Sequence, residues 1–155
     1  MAMLSIDPYP KIDFIEDIQT DLIFTTLFED LGAPKGIAGM VDWRLNGFIS
    51  HTMLDQKVHG TFRECTLMPL DPPFQSSRLC IVGLGSWRSY NSLQLKRLLP
   101  MLLRTIMHLK PTACLVCIPK LLKESYKNET QAIVSEFFSE IDIDIKIDIQ
   151  TTPIA

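Results

Sequence analysis

The stretch that decides the fold is DLIFTTLF (residues 21–28), followed by EDLGAPKGIAG (residues 29–39). Its first part is an almost continuous run of apolar, β-branched and aromatic residues, which is typical of a strand buried on both faces. Its second part holds three glycines and a proline, which indicate a loop. From about Gly39 the apolar residues recur every three or four positions, which predicts an amphipathic helix. A strand, a loop and a helix in this order favour an α/β domain.

The rest of the chain repeats this pattern of short apolar runs and helices. Four further runs are predicted to be strands: KIDFIEDI (11–18), TLMPL (66–70), RLCIVGLG (78–85) and TACLVCI (112–118). Helices are expected between them, one capped by Asn91 or Ser92 and another by Asn128. Residues 1–10 contain two prolines and are interpreted as a tail, and residues 11–155 as a single domain.

The end of the domain has a distinct alternation, IDIDIKIDI (residues 141–149). Isoleucines occupy one face and charged residues the other, including the carboxylates of Asp142, Asp144 and Asp148. This pattern predicts a strand with one solvated face, near the edge of the sheet. The order of elements favours a three-layer α/β/α arrangement, with a mixed sheet between helices.

Composition and charge exclude several classes of partner. The net charge is −3 and no run of Lys or Arg occurs, so nucleic-acid binding is disfavoured. The longest apolar stretch, residues 98–109, contains Pro100, Arg104 and His108, so no membrane span is expected. The first residues lack the basic and apolar segments of a signal peptide, and a cytoplasmic location is expected.

No catalytic or metal-binding group is predicted. Cys114 and Cys117 lie three apart in one predicted strand, so they point to opposite faces and are interpreted as core thiols. Cys65 and Cys80 are isolated in the sequence. No second C-x-x-C and no H-E-x-x-H occurs, and we expect no metal and no cofactor.

The glycine-rich loops are the candidate ligand site. VGLGSW (residues 82–87) has Arg88 where a dinucleotide loop has its third glycine. If the strands before the two loops are parallel, both loops lie at one edge of the sheet. The candidate ligand crevice consists of Gly36, Gly39, Asp42, Asn46, Gly83, Gly85 and Trp87. Alternatively the glycines only turn the chain, Trp43 packs beneath the helix, and Asp42 pairs locally with Asn46 or Arg44.

The segments GIAGMVDWRLNG (residues 36–47) and CIVGLG (residues 80–85), in this order of elements, resemble the N-terminal domain of the cytosol (leucyl) aminopeptidase family. The resemblance covers about residues 11–150. It implies a macro-domain-like α/β/α sandwich. In that family the domain precedes a catalytic domain that binds two divalent metals, and no residue of that catalytic domain is matched in this sequence.

Two functional hypotheses follow, besides the alternative that the chain is an accessory part of a metallo-aminopeptidase system. The first is a stand-alone, non-catalytic homologue of that domain, with a role in interaction or regulation, through self-association or through a peptidase-family partner. The residue 141–149 strand would offer a route to a partner by strand addition. The second is a binding module for a nucleotide or an ADP-ribose-like small molecule, which would use the glycine loops.

Overall fold

The apolar run at residues 21–28 forms strand β2 (Leu22–Phe28), which lies inside the sheet as predicted. The computed structural model describes residues 4–8 and 17–150, and it describes only the backbone of residues 4–8 and 150. All side chains of β2 except that of Thr26 are buried, because packed layers cover both faces of the strand.

The other elements largely follow the predicted order. The strands are β1 (Leu4–Pro8), β3 (Cys65–Pro69), β4 (Arg78–Gly85), β5 (Ala113–Pro119) and β6 (Asp144–Gln150), and the helices are α1 (Gly36–Arg44), α2 (Phe48–Leu54), α3 (Ser92–Leu109) and α4 (Glu129–Phe138). The predicted cap of α3 is confirmed, since the Asn91 side chain accepts a hydrogen bond from the Gln94 N–H at 3.0 Å. This helix continues through Pro100.

The sheet is mixed, and its direction of winding reverses at β2. The strand order is β1-β6-β5-β2-β4-β3. Strand β3 runs antiparallel to β4, and the other described pairs are parallel. The chain moves from β2 to β4 on one side and later to β5 on the other side. Strand β2 therefore borders the topological switch point of the sheet.

Helices cover both faces of this sheet. Helices α1 and α2 pack their buried side chains on one face, where Ile23, Leu79 and Leu115 lie. Helices α3 and α4 pack on the opposite face, where Phe24 and Val116 lie. The predicted three-layer α/β/α sandwich with a mixed sheet is confirmed.

The amino-terminal assignment differs from the prediction. Residues 4–8, interpreted as part of a tail, form strand β1, which pairs parallel with β6 at Ile6 and Ile147. A proline is tolerated in β1 because β1 is an edge strand and Pro8 stands at its end. The strand predicted at residues 11–18 lies mostly outside the described residues, and Asp17 and Ile18 are not in a strand.

The last strand lies near the edge of the sheet, as predicted, but it is not itself the edge strand. Strand β6 lies between β1 and β5, so both of its backbone edges are hydrogen-bonded within the sheet. Its polar face is only partly solvated, because Asp144 and Lys146 are exposed whereas Asp148 is 3% exposed. The predicted route to a partner by strand addition at β6 is therefore closed.

The cysteines include one pair that the sequence did not reveal. Cys114 and Cys117 are buried in the two opposite core layers, as their spacing predicts. Cys65 and Cys80 are not isolated, because the pairing of β3 with β4 places their Sγ atoms 2.7 Å apart.

Candidate functional site

Strands β2 and β5 separate towards their carboxyl ends. Strand β2 pairs with β4 over its whole length, from Leu22 to Phe28. Its pairing with β5 spans three positions and ends where Phe24 meets Val116. The separation leaves a crevice at the switch point, which is where open α/β sheets bind ligands.

The crevice is lined by the end of β2, the loop that follows it and the last residue of β5. The lining residues are Thr26, Leu27, Phe28, Leu31, Ala33, Lys35, Gly36 and Pro119. Its volume is about 20 Å³, on the scale of one or two water molecules. The crevice itself is therefore narrow.

A wider groove joins the crevice at Lys35 and Gly36. It runs along the outer side of α1 and has a volume of about 470 Å³. Its other lining residues are Pro34, Gly39, Met40, Trp43 and Arg44. This volume falls in the range of small-molecule sites, which is roughly 300–1,000 Å³.

The first turn of α1 lies where the crevice and the groove meet. The first hydrogen bond of the helix runs from the Gly39 N–H to the Lys35 carbonyl at 3.2 Å, so the amides of residues 36–38 precede the helical ladder. The side chain of the N-cap residue Lys35 makes no capping hydrogen bond, and the first turn contains no acidic residue. Lys35 adds a cation beside these amides, an arrangement that favours an anionic group.

Two loops at this edge of the sheet are joined by Asp30. Its carboxylate accepts hydrogen bonds from the Ser86 hydroxyl at 2.6 Å and from the Trp87 N–H at 3.1 Å, and the Arg88 guanidinium lies 3.6 Å away. Desolvation acts to raise the pKa of Asp30, but these hydrogen bonds and the Arg88 charge hold it below its usual value. The β2–α1 loop is thus anchored to the β4–α3 loop.

Tyr90 braces the floor of the crevice. Its hydroxyl donates a hydrogen bond to the Pro119 carbonyl at 2.6 Å, and its ring packs edge-on against Phe28 with the centroids 5.4 Å apart. Both Phe28 and Pro119 line the crevice. Burial raises the pKa of Tyr90, so the hydroxyl stays protonated and remains a donor.

Of the predicted site residues, Gly36 and Gly39 lie at the site. Gly36 lines both the crevice and the groove, and Gly39 lines the groove. Gly39 also permits a close approach of the chain, since an added Cβ would lie 3.0 Å from the Pro34 carbonyl oxygen.

Gly83 and Gly85 contact the segment before β3. The Gly83 N–H donates to the Glu64 carbonyl and the Gly85 N–H to the Gly60 carbonyl, each at 2.8 Å. An added Cβ at Gly83 would lie 1.9 Å from the Thr61 carbonyl oxygen. The two amides are thus already used within the fold, and neither glycine lines the crevice or the groove described above.

The remaining predicted residues have structural contacts of their own. Asp42 braces α2, because its carboxylate accepts from the Ser50 N–H at 2.9 Å and from the Ser50 hydroxyl. Ser50 is a partner that the sequence analysis did not name. Asn46, with a φ of 55°, lies in the turn that separates α1 from α2. Trp87 packs against the core on the α3 side and does not line the crevice.

Trp43 is exposed rather than packed beneath the helix. Its exposed fraction is 72%, and the Arg44 guanidinium lies 4.5 Å from its ring centroid. Sequence reasoning therefore missed Trp43 as a residue that lines the groove, although a tryptophan directly before an arginine on a short helix could have indicated an exposed binding surface.

Two other lining residues were also missed. One is Lys35, which stands directly before Gly36. Pro119 gave no local signal, since only the packing of β5 places it in the crevice.

Membrane-spanning helices and metal-binding clusters are both absent from the described residues. No helix among them is long and apolar enough to cross a membrane. Within residues 4–8 and 17–150, no three histidine, cysteine or acidic side chains are grouped in a way that could hold a metal ion.

Comparison by sequence gives one relative with a partial match. No protein-family model matches the chain. A probable cytosol aminopeptidase of Sulfurihydrogenibium sp. (strain YO3AOP1) is 25% identical over 119 residues, which are 77% of this chain and 24% of that protein. The chain thus spans about a quarter of this relative's length.

Comparison by structure is more extensive. The macrodomain of Mycobacterium tuberculosis DarG superposes with a TM-score of 0.68 at 17% identity, covering 96% of this chain and 98% of that one. The chain has the macrodomain fold. Thermosipho africanus DarTG in complex with ADP-ribose superposes with a TM-score of 0.60 at 9% identity, covering 88% of this chain and 40% of that one. At such identities these macrodomain likenesses establish the fold.

The resemblance to aminopeptidases is also present at the level of structure. A tomato leucine aminopeptidase variant superposes with a TM-score of 0.62 at 16% identity, covering 99% of this chain and 34% of that one. The macrodomain fold accounts for both likenesses, and the larger TM-score belongs to the macrodomain of DarG.

Proposed function

We propose that the chain binds an ADP-ribose-like or other adenine nucleotide at the junction of the crevice and the α1 groove, without turning it over. The observation that carries this proposal is the separation of β2 and β5 beyond Phe24 and Val116, at the switch point of the sheet. The opening leads directly to the first turn of α1. A cleft at a switch point with a helix amino terminus beside it suits a phosphate-bearing ligand.

In this proposal, the phosphates lie at the first turn of α1. The amides of residues 36–38 supply donors, and Lys35 supplies a positive charge. A diphosphate has the matching negative charge and several acceptor oxygens. Arg44 lies farther along the same groove and adds a second cation.

The nucleoside part occupies the wider groove. Trp43 offers an exposed aromatic face there, and base–aromatic stacking contributes roughly 1–3 kcal/mol in proteins that bind single-stranded nucleic acids. The narrow crevice admits more of the ligand only if the loop at residues 29–35 moves. Gly32, Ala33 and Lys35 of that loop are exposed, whereas Pro34 is buried and Asp30 is bonded to Ser86, so we expect the movement to be confined to residues 32–33.

The structural neighbours support the choice of ligand class. The Thermosipho africanus protein is bound to ADP-ribose, and a Trypanosoma brucei macrodomain is bound to ADP. Both share the fold of this chain at 13% identity or less. Their ligands therefore suggest which compounds to test first.

Isothermal titration with ADP-ribose, ADP and adenosine tests the proposal. We expect ADP-ribose and ADP to bind and adenosine to bind more weakly, because it lacks the phosphates. Lys35→Ala should weaken ADP binding about tenfold, or about 1.4 kcal/mol, whereas Lys57→Ala, at an exposed site away from the groove, should not. Chromatography of the ligand after incubation should recover it unchanged.

A second variant tests the place of binding. Ala33→Trp puts a bulky ring at the mouth of the crevice and should abolish binding while thermal unfolding stays cooperative. Absence of heat from all three ligands with a folded wild-type protein would contradict the proposal. Binding that survives both Ala33→Trp and Lys35→Ala would contradict the site.

The interaction hypothesis retains one observation in its favour. The probable cytosol aminopeptidase is 25% identical to this chain over 119 residues. We propose, as a second candidate, that the chain associates with itself or with a peptidase-family partner. Light scattering during size-exclusion chromatography, alone and with a purified cytosol aminopeptidase, measures this. A monomer in both runs would contradict this second candidate function.

A further inference from the structure

Cys65 on β3 and Cys80 on β4 form a close thiol pair. Their Sγ atoms lie 2.7 Å apart, and both thiols are free. In the antiparallel register Cys65 is opposite Val82 and Cys80 is opposite Leu67, so the two cysteines are diagonal neighbours. A disulfide bond measures about 2.05 Å, so the two sulfur atoms must approach by only about 0.7 Å to bond.

The two thiols differ in their access to solvent. Cys65 is exposed on the edge strand, whereas Cys80 is fully buried in the core between the sheet and α3. A soluble oxidant therefore reaches Cys65 first. Cys80 is positioned behind it to react with an oxidised Cys65.

The electrostatics of the pair agree with this division. The hydrogen bond with Cys80 lowers the pKa of Cys65, although partial burial opposes the effect. The same contact, together with burial, raises the pKa of Cys80. The thiolate is the reactive form of cysteine, so Cys65 is the better nucleophile of the two.

The other cysteines serve as internal controls. Burial raises the pKa of Cys114 to about 12 and that of Cys117 well above its usual value. Both are fully buried, and they lie in opposite core layers. Neither should react while the protein is folded.

We propose that Cys65 and Cys80 are a peroxide-sensitive pair that closes to a disulfide between β3 and β4. The Cys65 thiolate attacks a peroxide oxygen, an S–O bond forms, the O–O bond breaks and the released hydroxide takes up a proton. The Cys80 sulfur then attacks Cys65, an S–S bond forms, and the S–O bond breaks. The leaving hydroxide and the Cys80 proton give water. Two thiols are oxidised and one hydrogen peroxide is reduced to two waters.

The disulfide would fix an edge strand. In the described sheet β3 ends the strand order and is paired on one side, with β4. The segment just before it packs over Gly83 and Gly85, and the Gly83 N–H is bonded to the Glu64 carbonyl beside Cys65. A covalent link at Cys65 therefore holds both β3 and this segment against β4. Amide hydrogen exchange along β3 should slow in the oxidised protein.

Peptide mapping of the folded wild-type protein is the decisive experiment. After treatment with stoichiometric hydrogen peroxide and alkylation, cleavage after Arg63, Arg78 and Arg88 separates the two cysteines into peptides 64–78 and 79–88. We expect these peptides to be linked, with a loss of two hydrogens, and to separate after dithiothreitol. Cys114 and Cys117 should remain reduced.

Two variants identify the order of the steps. Cys65→Ser should leave Cys80 reduced at the same peroxide dose. Cys80→Ala should leave Cys65 as a sulfenic acid that a 1,3-diketone traps. Because Cys80 is a core residue, circular dichroism is used to check that the Cys80→Ala variant folds. The peptide map of the wild-type protein tests the proposal even if this variant does not fold. A bond to Cys114 or Cys117, cross-linking only between molecules, or overoxidation of Cys65 without the linked peptide would overturn the proposal.

Discussion

The hydroxyl of Ser86 lies 2.6 Å from the carboxylate of Asp30, although the two residues are 56 positions apart. The contact joins the loops that follow β2 and β4, at the edge of the sheet where the crevice opens. This carboxylate, together with the backbone hydrogen bond from the Glu29 N–H to the Gly85 carbonyl at 3.0 Å, therefore holds the loop beside the crevice.

Removal of this carboxylate should destabilise the fold and weaken ligand binding. Asp30→Ala leaves the Ser86 hydroxyl and the Trp87 N–H without their acceptor, and we expect a loss of about 1–2 kcal/mol. Urea denaturation at pH 7 measures the loss. Asp55→Ala, at an exposed residue on the far end of α2, should change stability by less than about 0.5 kcal/mol. Equal effects of the two variants would show that Asp30 is not a structural anchor.

The two glycines Gly83 and Gly32 should respond very differently to alanine. At Gly83 an added Cβ would lie 1.9 Å from the Thr61 carbonyl oxygen, and the backbone must move. We expect Gly83→Ala to cost about 3 kcal/mol or more. At Gly32 there is open space but φ is +73°, so Gly32→Ala should cost only about 1 kcal/mol. Thermal unfolding of both variants measures the difference, and the reverse order would refute the close packing at Gly83.

The hydroxyl of Tyr90 should contribute to the free energy of unfolding through its buried hydrogen bond. Tyr90→Phe keeps the contact with Phe28 but removes the buried hydrogen bond to the Pro119 carbonyl. We expect a loss of about 1–3 kcal/mol, because the carbonyl is left without its donor. Tyr126→Phe, at an exposed tyrosine, is the matched control. If Tyr90→Phe unfolds at the same urea concentration as the wild type, this hydrogen bond is not stabilising.

Glu124 should make stability depend on acidic pH. Its carboxylate accepts hydrogen bonds from the Thr130 N–H at 2.8 Å and the Thr130 hydroxyl at 3.0 Å, and lies 3.3 Å from Lys120 Nζ. Desolvation acts to raise the pKa of Glu124, but these contacts hold it below its usual value. The folded pKa is thus lower than the unfolded one, so this stabilisation is present above about pH 4.3 and is lost as pH falls through the folded pKa.

We expect Glu124→Gln to be destabilised by about 1 kcal/mol at pH 7 and to approach the wild type as pH falls below about 4.3 and through the folded pKa. Urea denaturation across this pH range measures the two curves. Glu140→Gln, at an exposed position, should follow the wild type throughout. A constant gap between Glu124→Gln and the wild type would argue against a titrating contribution from Glu124.

Elements with a strong local pattern could be predicted from the sequence. The buried strands β2, β4 and β5 are continuous apolar runs, and the cap of α3 depends on Asn91 and the next three residues. At α4 the same reasoning failed. Asn128 has a φ of 61° and makes no capping bond, and Glu124 instead accepts from the Thr130 N–H.

Of the seven residues predicted to form the ligand crevice, two line the candidate site. Gly36 and Gly39 were identified because glycines between a strand and a helix mark the edge of an α/β sheet. Gly83 and Gly85 carry the same local signal, yet the carbonyls of Glu64 and Gly60, in a segment about 20 residues earlier in the chain, accept from their amides. Local sequence does not distinguish a glycine beside a ligand site from a glycine against which another segment of the chain packs.

The sequence by itself determined the α/β class and most of the elements in their order, because hydrophobic periodicity and capping act over a few residues. The tertiary structure alone decided that β1 pairs with the outer edge of β6 and that β2 and β5 separate after Phe24. It also decided that the side chains of Cys65 and Cys80 are in contact. Each of these depends on strand order and register. Contacts between distant segments set both, and the same local pattern is compatible with several pairings.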